Sequence, residues 1–261
     1  MIDLHCHVLA GIDDGPATIE ESLALARAAA AAGTRTLVAT PHVSRRYPND
    51  AETIAELVEA LNRRLSSDGV DLEIRRGGEI AMTRVLGLAS AQLAPLRLGD
   101  GPWLLVEPSF TEDVRVLEKI LRDLQDGGYR VVLAHPERCT AFHRDPLMLE
   151  SLVQNGALCS VTAGALVGRF GEHVRRFALR LAHDGLMHNV ASDAHDLTRR
   201  PPGMAREIEQ AGLGQLASWL TGAVPEAILR GEEVPPRPLD AAIGRPHVGR
   251  RWWRRGSQHA D

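Results

Sequence analysis

Short apolar stretches rich in β-branched residues alternate along the chain with longer stretches whose apolar positions recur at helical spacing. The short stretches are typical of buried strands, and the longer ones of amphipathic helices. The pattern predicts seven strands: Ile2–His5, Arg35–Thr40, Asp71–Arg75, Trp103–Val106, Arg130–Ala134, Leu158–Thr162 and Met187–Ala191. It predicts helices at about Thr18–Ala32, Ala51–Leu65, Glu112–Gln125, Pro146–Gln154 and Glu172–His183.

This alternation of strands and helices indicates βαβ units with a mainly parallel sheet. The repeated unit favours a barrel, although periodicity alone leaves an open, doubly wound sheet possible. The first strand is not followed by a glycine-rich phosphate loop, which weakens the open nucleotide-binding fold. We therefore expect an α/β barrel over residues 1–232, followed over residues 233–261 by a flexible tail that is first Pro-rich and then basic.

Composition narrows the class of protein. The 261 residues are 44% hydrophobic, which suits one substantial core, and the formal net charge of −4 argues against a nucleic-acid binder. No apolar run approaches the roughly 20 residues that span a bilayer, and the first residues lack the pattern of a signal peptide. Three cysteines offer no disulfide framework. We expect a reduced, cytoplasmic protein.

Potential metal ligands stand at the ends of the predicted strands. His5 and His7 are two residues apart, so a strand presents both on one face. Later strands end in or near further candidates: His42, Glu79, Glu107, His135, Asp193 and His195. In a βα barrel these ends meet at the rim that carries active sites. Nitrogen and carboxylate ligands suit Mn, Fe or Zn at a catalytic site, and Mg also remains open.

The metal ligands alone do not distinguish among three reaction classes, namely hydrolysis of phosphoesters, hydrolysis of amides and deamination. Arg138 follows His135 by three residues and Arg200 follows His195 by five, so each is a candidate to lie over the metal rim. A guanidinium matches the geometry of a phosphate, which favours a phosphoesterase. A thiol-based tyrosine phosphatase would need an Arg six residues after its Cys. Those positions hold Ile12, Asp145 and Ala165 instead.

The opening segment, with His5-Cys6-His7 and Asp13-Asp14-Gly15, resembles the polymerase-and-histidinol-phosphatase (PHP) superfamily. More closely, the chain resembles the bacterial manganese-dependent protein-tyrosine phosphatases of capsule and exopolysaccharide loci. The similarity runs to about Arg230. It includes the motifs Ala39-Thr40-Pro41-His42, Gly77-Gly78-Glu79-Ile80, Ala134-His135-Pro136-Glu137-Arg138, Ala191-Ser192-Asp193-Ala194-His195 and Arg200-Pro201-Pro202.

The resemblance implies a distorted seven-stranded βα barrel, a TIM-like PHP barrel, that holds up to three ions, usually Mn²⁺. It implies three overlapping ligand sets: His5, His7, Glu79 and Asp193; Glu79, Glu107 and His135; Asp14, His42 and His195. It further implies that Arg138 and Arg200 bind the phosphate. We also consider His42 a candidate to protonate the phenolate leaving group.

The substrate that the resemblance implies is the phosphotyrosine tail of a bacterial tyrosine kinase that controls polysaccharide export. Two alternatives remain: a PHP phosphatase acting on a small phosphomonoester such as histidinol phosphate, and a non-catalytic metal-binding docking module. An amidohydrolase would use a strand-end Lys or a lone catalytic Asp, and it is disfavoured because the chain offers few lysines and pairs its Asp193 with His195. The basic stretch over residues 250–255, with Trp252 and Trp253, suggests peripheral contact with an anionic membrane as an alternative to a solvated end.

Overall fold

The computed structural model describes residues 1–109 and 116–238. Its strands are β1 (Ile2–Cys6), β2 (Thr36–Ala39), β3 (His42–Val43), β4 (Glu73–Arg76), β5 (Glu79–Ala81), β6 (Trp103–Glu107), β7 (Arg130–Ala134), β8 (Leu158–Thr162) and β9 (Asn189–Ala191). Its α-helices are α1 (Ile19–Ala31), α2 (Ala51–Ser67), α3 (Met82–Val85), α4 (Ser90–Leu93), α5 (Val116–Asp126), α6 (Thr140–Arg144), α7 (Pro146–Gln154), α8 (Ala163–Leu166), α9 (Glu172–His183), α10 (Ala205–Gln210) and α11 (Val224–Arg230). Three 3₁₀ turns, at Ala94–Leu96, Pro136–Arg138 and Gly214–Leu216, and a π-helical turn, Trp219–Ala223, complete the described elements.

The strands form two parallel sheets, which confirms the mixed α/β class. One sheet has the order β1-β2-β4, and the other has the order β3-β5-β6-β7-β8-β9. The first strand also reaches the end of the last one. Cys6 and Ala194 form an isolated parallel bridge, and the backbone N–H of Asp193 donates to the carbonyl of His5 at 2.8 Å. The closed barrel itself remains a prediction.

The predicted count of seven strands is wrong, because two of the expected strands are each followed by a second short one. Pro41, which has no backbone N–H, separates β2 from β3, and the Gly77-Gly78 pair separates β4 from β5. The backbone passes closely packed side chains at this pair. A Cβ on Gly77 would lie 2.8 Å from Val38 Cγ1. Both interruptions come just before a candidate ligand, His42 or Glu79.

Helix starts follow the side-chain capping chemistry in the sequence. The backbone N–H of Glu21 donates to Thr18 Oγ1 at the start of α1, and that of Thr53 donates to Asp50 at the start of α2. The predicted bounds of α7 and α9 are confirmed. Of the predicted helix at 112–125, residues 112–115 lie outside the described residues, and α5 begins at Val116. The tail from residue 239 onward also lies outside them.

Strands β6, β7 and β8 are buried on both faces, as expected for a parallel sheet covered by helices. Within β1 the side chains alternate between packing and chemistry. Leu4 and Cys6 are fully buried in the hydrophobic core, whereas His5 points to the opposite face with the other candidate ligands. Among the described residues, no helix combines the length and apolar character needed to cross a membrane.

Candidate metal centre

The structure brings all nine predicted ligands together at one end of the strands. They form four overlapping groups, and within each group one nitrogen or oxygen atom of every member lies within 4.8 Å of those of the others. The groups are His7, Asp14, His42 and His195; His5, His7 and Asp193; His5, Glu79 and His135; and His42, Glu79 and Glu107. The sharing of His5, His7, His42 and Glu79 makes this one continuous centre with several possible ion positions.

The deepest part of the centre is the histidine pair of the first strand. The Nε2 atoms of His5 and His7 lie 3.2 Å apart. Each also lies close to two carboxylates: His5 Nε2 is 3.3 Å from Glu79 Oε1 and 3.5 Å from Asp193 Oδ1. For His7 Nε2 the corresponding distances, to Glu79 Oε2 and Asp193 Oδ1, are 3.3 and 3.6 Å. Four side chains, those of His5, His7, Glu79 and Asp193, therefore bring nitrogen and oxygen atoms to one small buried volume.

Glu79 is the residue that links the groups. It is fully buried at the start of β5, and it lies 2.8 Å from His135 Nε2 through Oε1 and 2.8 Å from His42 Nδ1 through Oε2. Glu107, at the end of β6, lies 3.8 Å from His135 Nε2 and 3.9 Å from His42 Nδ1. One carboxylate with both oxygens engaged in this way is suited to bridge two ions.

The outer part of the centre lies around Asp14, which is half-exposed. Its Oδ1 is 3.3 Å from His42 Nε2 and 3.4 Å from His195 Nε2. Both ring nitrogens of His42 thus face carboxylates. The role of His42 as the acid for the leaving group stays a prediction.

The electrostatics follow from burying carboxylates among imidazoles. Burial lowers the pKa of His7 and His42, but hydrogen bonds to carboxylates outweigh it and raise these pKa values to about 9 and about 11. Burial raises the pKa of Glu79, but its histidine neighbours hold it well below the usual range. Burial and the Glu79 charge raise the pKa of Glu107 to about 7. Without metal, protons therefore neutralise part of the carboxylate charge.

Two ligand positions have an unusual backbone. His135 has φ of +31° and Asp193 has φ of +52°, and among the described residues they are the two non-glycine residues with positive φ. A side chain makes this conformation unfavourable, and it persists where the surrounding structure imposes it. His135 directly follows β7 and Asp193 lies two residues beyond β9, so both unusual conformations occur where a strand ends at the centre.

Asp13 is a functional candidate to which the sequence analysis assigned no role. Its Oδ2 lies 2.7 Å from His7 Nδ1 and accepts the backbone N–H of His42 at 3.1 Å. A carboxylate on the far nitrogen of a histidine fixes its tautomer and ring orientation. The sequence does show two adjacent acids, Asp13 and Asp14, close after the histidine pair. Their spacing alone does not say which of the two faces the ions.

Both predicted arginines lie beside the centre and contact the same oxygen. Arg138 Nη1 lies 3.2 Å from Asp193 Oδ2, and Arg200 Nη2 also forms an ion pair with that atom. Arg200 Nη1 lies 2.9 Å from His195 Nε2. The side chains of Arg138 and Arg200 are each about one-fifth exposed, whereas the Asp193 side chain that they share is buried.

Metal ions fit this donor set. Among the described residues, the buried Asp193 Oδ1 makes no hydrogen bond although two imidazole Nε2 atoms lie within 3.6 Å of it. Two imidazole nitrogens that lie close together and face two buried carboxylates are expected of a site that binds cations. Thiolates take no part. Burial raises the pKa of Cys6, Cys139 and Cys159, so none is suited to act as a nucleophile.

Comparisons with known proteins agree with a metal-dependent site. The family model described as "Capsular polysaccharide synthesis, CpsB/CapC" matches residues 1–212. The chain is similar to the tyrosine-protein phosphatase YwqE of Bacillus subtilis strain 168, with 36% identity over 248 residues that cover 92% of this chain and 96% of that protein. It is also similar to the tyrosine-protein phosphatase CpsB of Streptococcus pneumoniae, with 30% identity over 216 residues that cover 80% of this chain and 88% of that protein.

The fold of the chain is also similar to that of a solved structure. It comes from a study of YwqE from Bacillus subtilis and CpsB from Streptococcus pneumoniae, which are described as unique metal-dependent tyrosine phosphatases. The TM-score is 0.81 at 36% sequence identity, and the match covers 92% of this chain and 99% of the solved one.

Proposed function

Because the chain belongs to the CpsB/CapC family of capsular polysaccharide synthesis proteins, we propose that it is a metal-dependent phosphatase that hydrolyses phosphotyrosine in proteins. The observation that carries this function is the pairing of a buried His and carboxylate centre with two arginines that share Asp193. The centre is suited to hold cations, and the arginines are suited to hold the anionic substrate beside them.

The proposed ligand sets divide the centre in three. His5, His7, Glu79 and Asp193 would hold one ion, Glu79 with Glu107 and His135 a second, and Asp14, His42 and His195 a third. We propose Mn²⁺ as the resident metal, since mixed nitrogen and carboxylate ligands suit it, and Fe, Zn and Mg are the alternatives. When bound, such ions lower the pKa of a water molecule and neutralise charge on a phosphoryl group. Closure of the strands into a distorted barrel is the corresponding proposal for the fold, and the Cys6–Ala194 bridge supports it.

The arginines supply the selectivity for a phosphate. A guanidinium presents parallel N–H donors at the spacing of two phosphate oxygens, and it stays protonated at any physiological pH. Arg138 and Arg200 approach from one side of Asp193, opposite the face that His5 and His7 occupy. A phosphate monoester between the arginines and the ions would have its negative charge neutralised from both sides.

The finer proposal for the substrate is the phosphotyrosine tail of a bacterial tyrosine kinase that regulates capsule or exopolysaccharide synthesis. The family description supports it, since it names capsular polysaccharide synthesis. We propose a cytoplasmic location on the ground that all three cysteines are free and buried, as suits a reducing compartment. The basic residues 250–255 lie outside the described residues. Peripheral contact of these residues with an anionic membrane stays the alternative to a solvated end. Vesicle co-sedimentation of the full chain and of a chain ending at residue 238 tests it, and equal partitioning of the two would remove it.

The test of the function is phosphate release by metal-stripped protein after addition of Mn²⁺, Mg²⁺ or Zn²⁺. Substrates are a phosphotyrosyl peptide, a phosphoserine peptide and histidinol phosphate, and Asp193→Asn purified in parallel controls for contaminating phosphatases. We expect metal-restored activity that favours phosphotyrosine. Activity confined to histidinol phosphate would replace the proposed substrate with a small phosphomonoester. Metal binding without release from any substrate would favour the docking module.

A further inference from the structure

Phe170 lies in a tight turn that joins α8 to α9 beside the arginine pair. The turn is held by backbone hydrogen bonds: the N–H of Arg169 donates to the Gly164 carbonyl at 2.9 Å, and that of Gly171 donates to the Gly168 carbonyl at 2.9 Å. Gly168 and Gly171 have φ of +85° and +94°, a conformation that favours glycine. The position of Phe170 is therefore fixed by the backbone on both sides.

The Phe170 ring lies near both guanidinium groups. The ring centroid is 4.6 Å from Cζ of Arg138 and 6.0 Å from Cζ of Arg200. The same two groups meet at Asp193 Oδ2. Each arginine thus reaches the site from a different part of the chain, and both contact the Asp193 carboxylate and the Phe170 ring, while Arg200 also contacts His195.

The aromatic ring offsets part of the electrostatic repulsion between the two arginines. Two guanidinium groups at one oxygen repel each other, and Asp193 carries a single negative charge that its Oδ1 side also directs toward His5 and His7. The negative face of an aromatic ring attracts cations within about 6 Å and does so without any charge of its own. It also restricts the rotamers of two long side chains that would otherwise lose entropy on binding a phosphate.

We propose that Phe170 is a positioning residue that holds Arg138 and Arg200 in the geometry that binds the substrate phosphate. The proposal rests on the proposed function in one respect, namely that these arginines bind the phosphate. The Phe170 ring lies near the two arginines and offers no atom that would hold a metal ion. Its loss should therefore weaken binding of the phosphate and leave the metal content of the protein unchanged.

The competing interpretation is that Phe170 contributes only to packing, since it is partly buried against the hydrophobic core. Three variants separate the two. Phe170→Leu keeps apolar volume and removes the aromatic face, whereas Phe170→Tyr and Phe170→Trp keep the face. Arg169→Ala is the matched control, because Arg169 occupies the same turn and contacts Glu207 on another helix.

The experiment is isothermal titration of the Mn²⁺-loaded proteins with inorganic phosphate, with metal content measured on the same samples. We expect Phe170→Leu to weaken phosphate binding by roughly three- to tenfold at unchanged metal content, as loss of cation–π contacts implies. Phe170→Tyr, Phe170→Trp and Arg169→Ala should stay within about twofold of the parent. With a phosphotyrosyl peptide, Phe170→Leu should raise KM by a similar factor and change kcat less.

Equal weakening by Phe170→Leu and Phe170→Tyr would overturn the proposal, because both would then report the packing of the turn. So would unchanged phosphate binding by Phe170→Leu, or a parent protein that binds metal and no phosphate. Failure of the proposed function would give a different set of results from failure of the positioning role. In that case phosphotyrosine is not hydrolysed by the parent, while the phosphate titrations of the variants still differ as described.

Discussion

His7 Nδ1 lies 2.7 Å from Asp13 Oδ2, so the histidine faces the centre with one ring nitrogen and is fixed through the other. Its Nε2 is directed at Glu79 and Asp193. Asp13 also accepts the backbone N–H of His42 and of Gly15. One side chain therefore contacts both the ring of His7, directly after β1, and the backbone N–H of His42, the first residue of β3.

From this contact we expect Asp13→Asn to lower metal affinity by about tenfold or more, as loss of the carboxylate partner of a ligating histidine does. The amide still offers an oxygen to His7 but no longer carries the charge that favours the correct tautomer. Metal titration followed by calorimetry measures the effect. Asp71→Asn, at an exposed acid beside Arg35, is the matched control. Equal affinity of both variants and the parent would remove the orienting role.

Glu79→Gln should release more than one ion, because the carboxylate lies within 3.3 Å of four histidines. An amide binds cations weakly and leaves its neighbours without a counter-charge. We expect the metal content per chain to fall by about two, and phosphatase activity to be lost with it. Elemental analysis after dialysis gives the content, and Glu73→Gln on the exposed edge of β4 serves as the control. A full metal complement in Glu79→Gln would contradict the bridging assignment.

Metal binding should release protons at neutral pH. In the metal-free protein the pKa of His7 is raised to about 9 and that of His42 to about 11, after hydrogen bonds to carboxylates outweigh burial. Both imidazoles are therefore protonated at pH 7, whereas a metal binds the neutral form. Affinity should rise as the pH increases from 6 to 9. Calorimetry at pH 7 in two buffers of different ionisation enthalpy detects the protons, and identical heats would contradict the shifts.

Arg200→Ala should raise KM for a phosphotyrosyl peptide by about tenfold or more, because a hydrogen bond to a charged group contributes about 1.5–3 kcal/mol. Arg200→Lys should rescue little, since an ammonium cannot donate in parallel as a guanidinium does. Arg199→Ala removes an exposed neighbouring charge and should behave as the parent. Steady-state kinetics with metal-saturated protein separates KM from kcat. A Lys variant with parent KM would show that only charge matters.

The sequence was most informative where chemistry and strand ends coincide. His5, His7 and the later strand-end ligands are found together because parallel strands bring their carboxyl ends to one edge, a property that follows from the alternation alone. The start of helix α1 could also be predicted from the sequence, because it depends on a local contact between Thr18 and the backbone of Glu21.

What the sequence did not predict depends on contacts distant along the chain. The short strands β3 and β5 have two and three residues, too few for a periodic pattern, and they form through pairing with each other and with β6. Phe170 gave no signal, because its neighbours Arg138 and Arg200 are about 30 residues away on either side. The α8–α9 turn that positions it is visible only in three dimensions.

Gly15→Ala should damage the centre through the backbone. A Cβ at residue 15 would lie 2.4 Å from the carbonyl oxygen of His7 and 3.0 Å from Asp13 Oδ1. These atoms belong to a buried strand end and to the carboxylate that orients it, so one of them must move. We expect a loss of about 1–3 kcal/mol in the free energy of unfolding, as for other overpacked sites, together with weaker metal binding.

Gly222→Ala is the control for Gly15→Ala, because a Cβ there meets no atom within 4 Å among the described residues. It should leave metal affinity unchanged and raise the free energy of unfolding by about 0.4–1 kcal/mol, since adding a methyl to an open position mainly restricts the unfolded chain. Chemical denaturation of the metal-free and metal-loaded forms gives the two quantities separately. If Gly15→Ala loses stability in the metal-free form but keeps parent metal affinity, the Asp13–His7 contact tolerates the shift. In that case the glycine serves only the packing of the turn, and the orienting role of Asp13 does not depend on it.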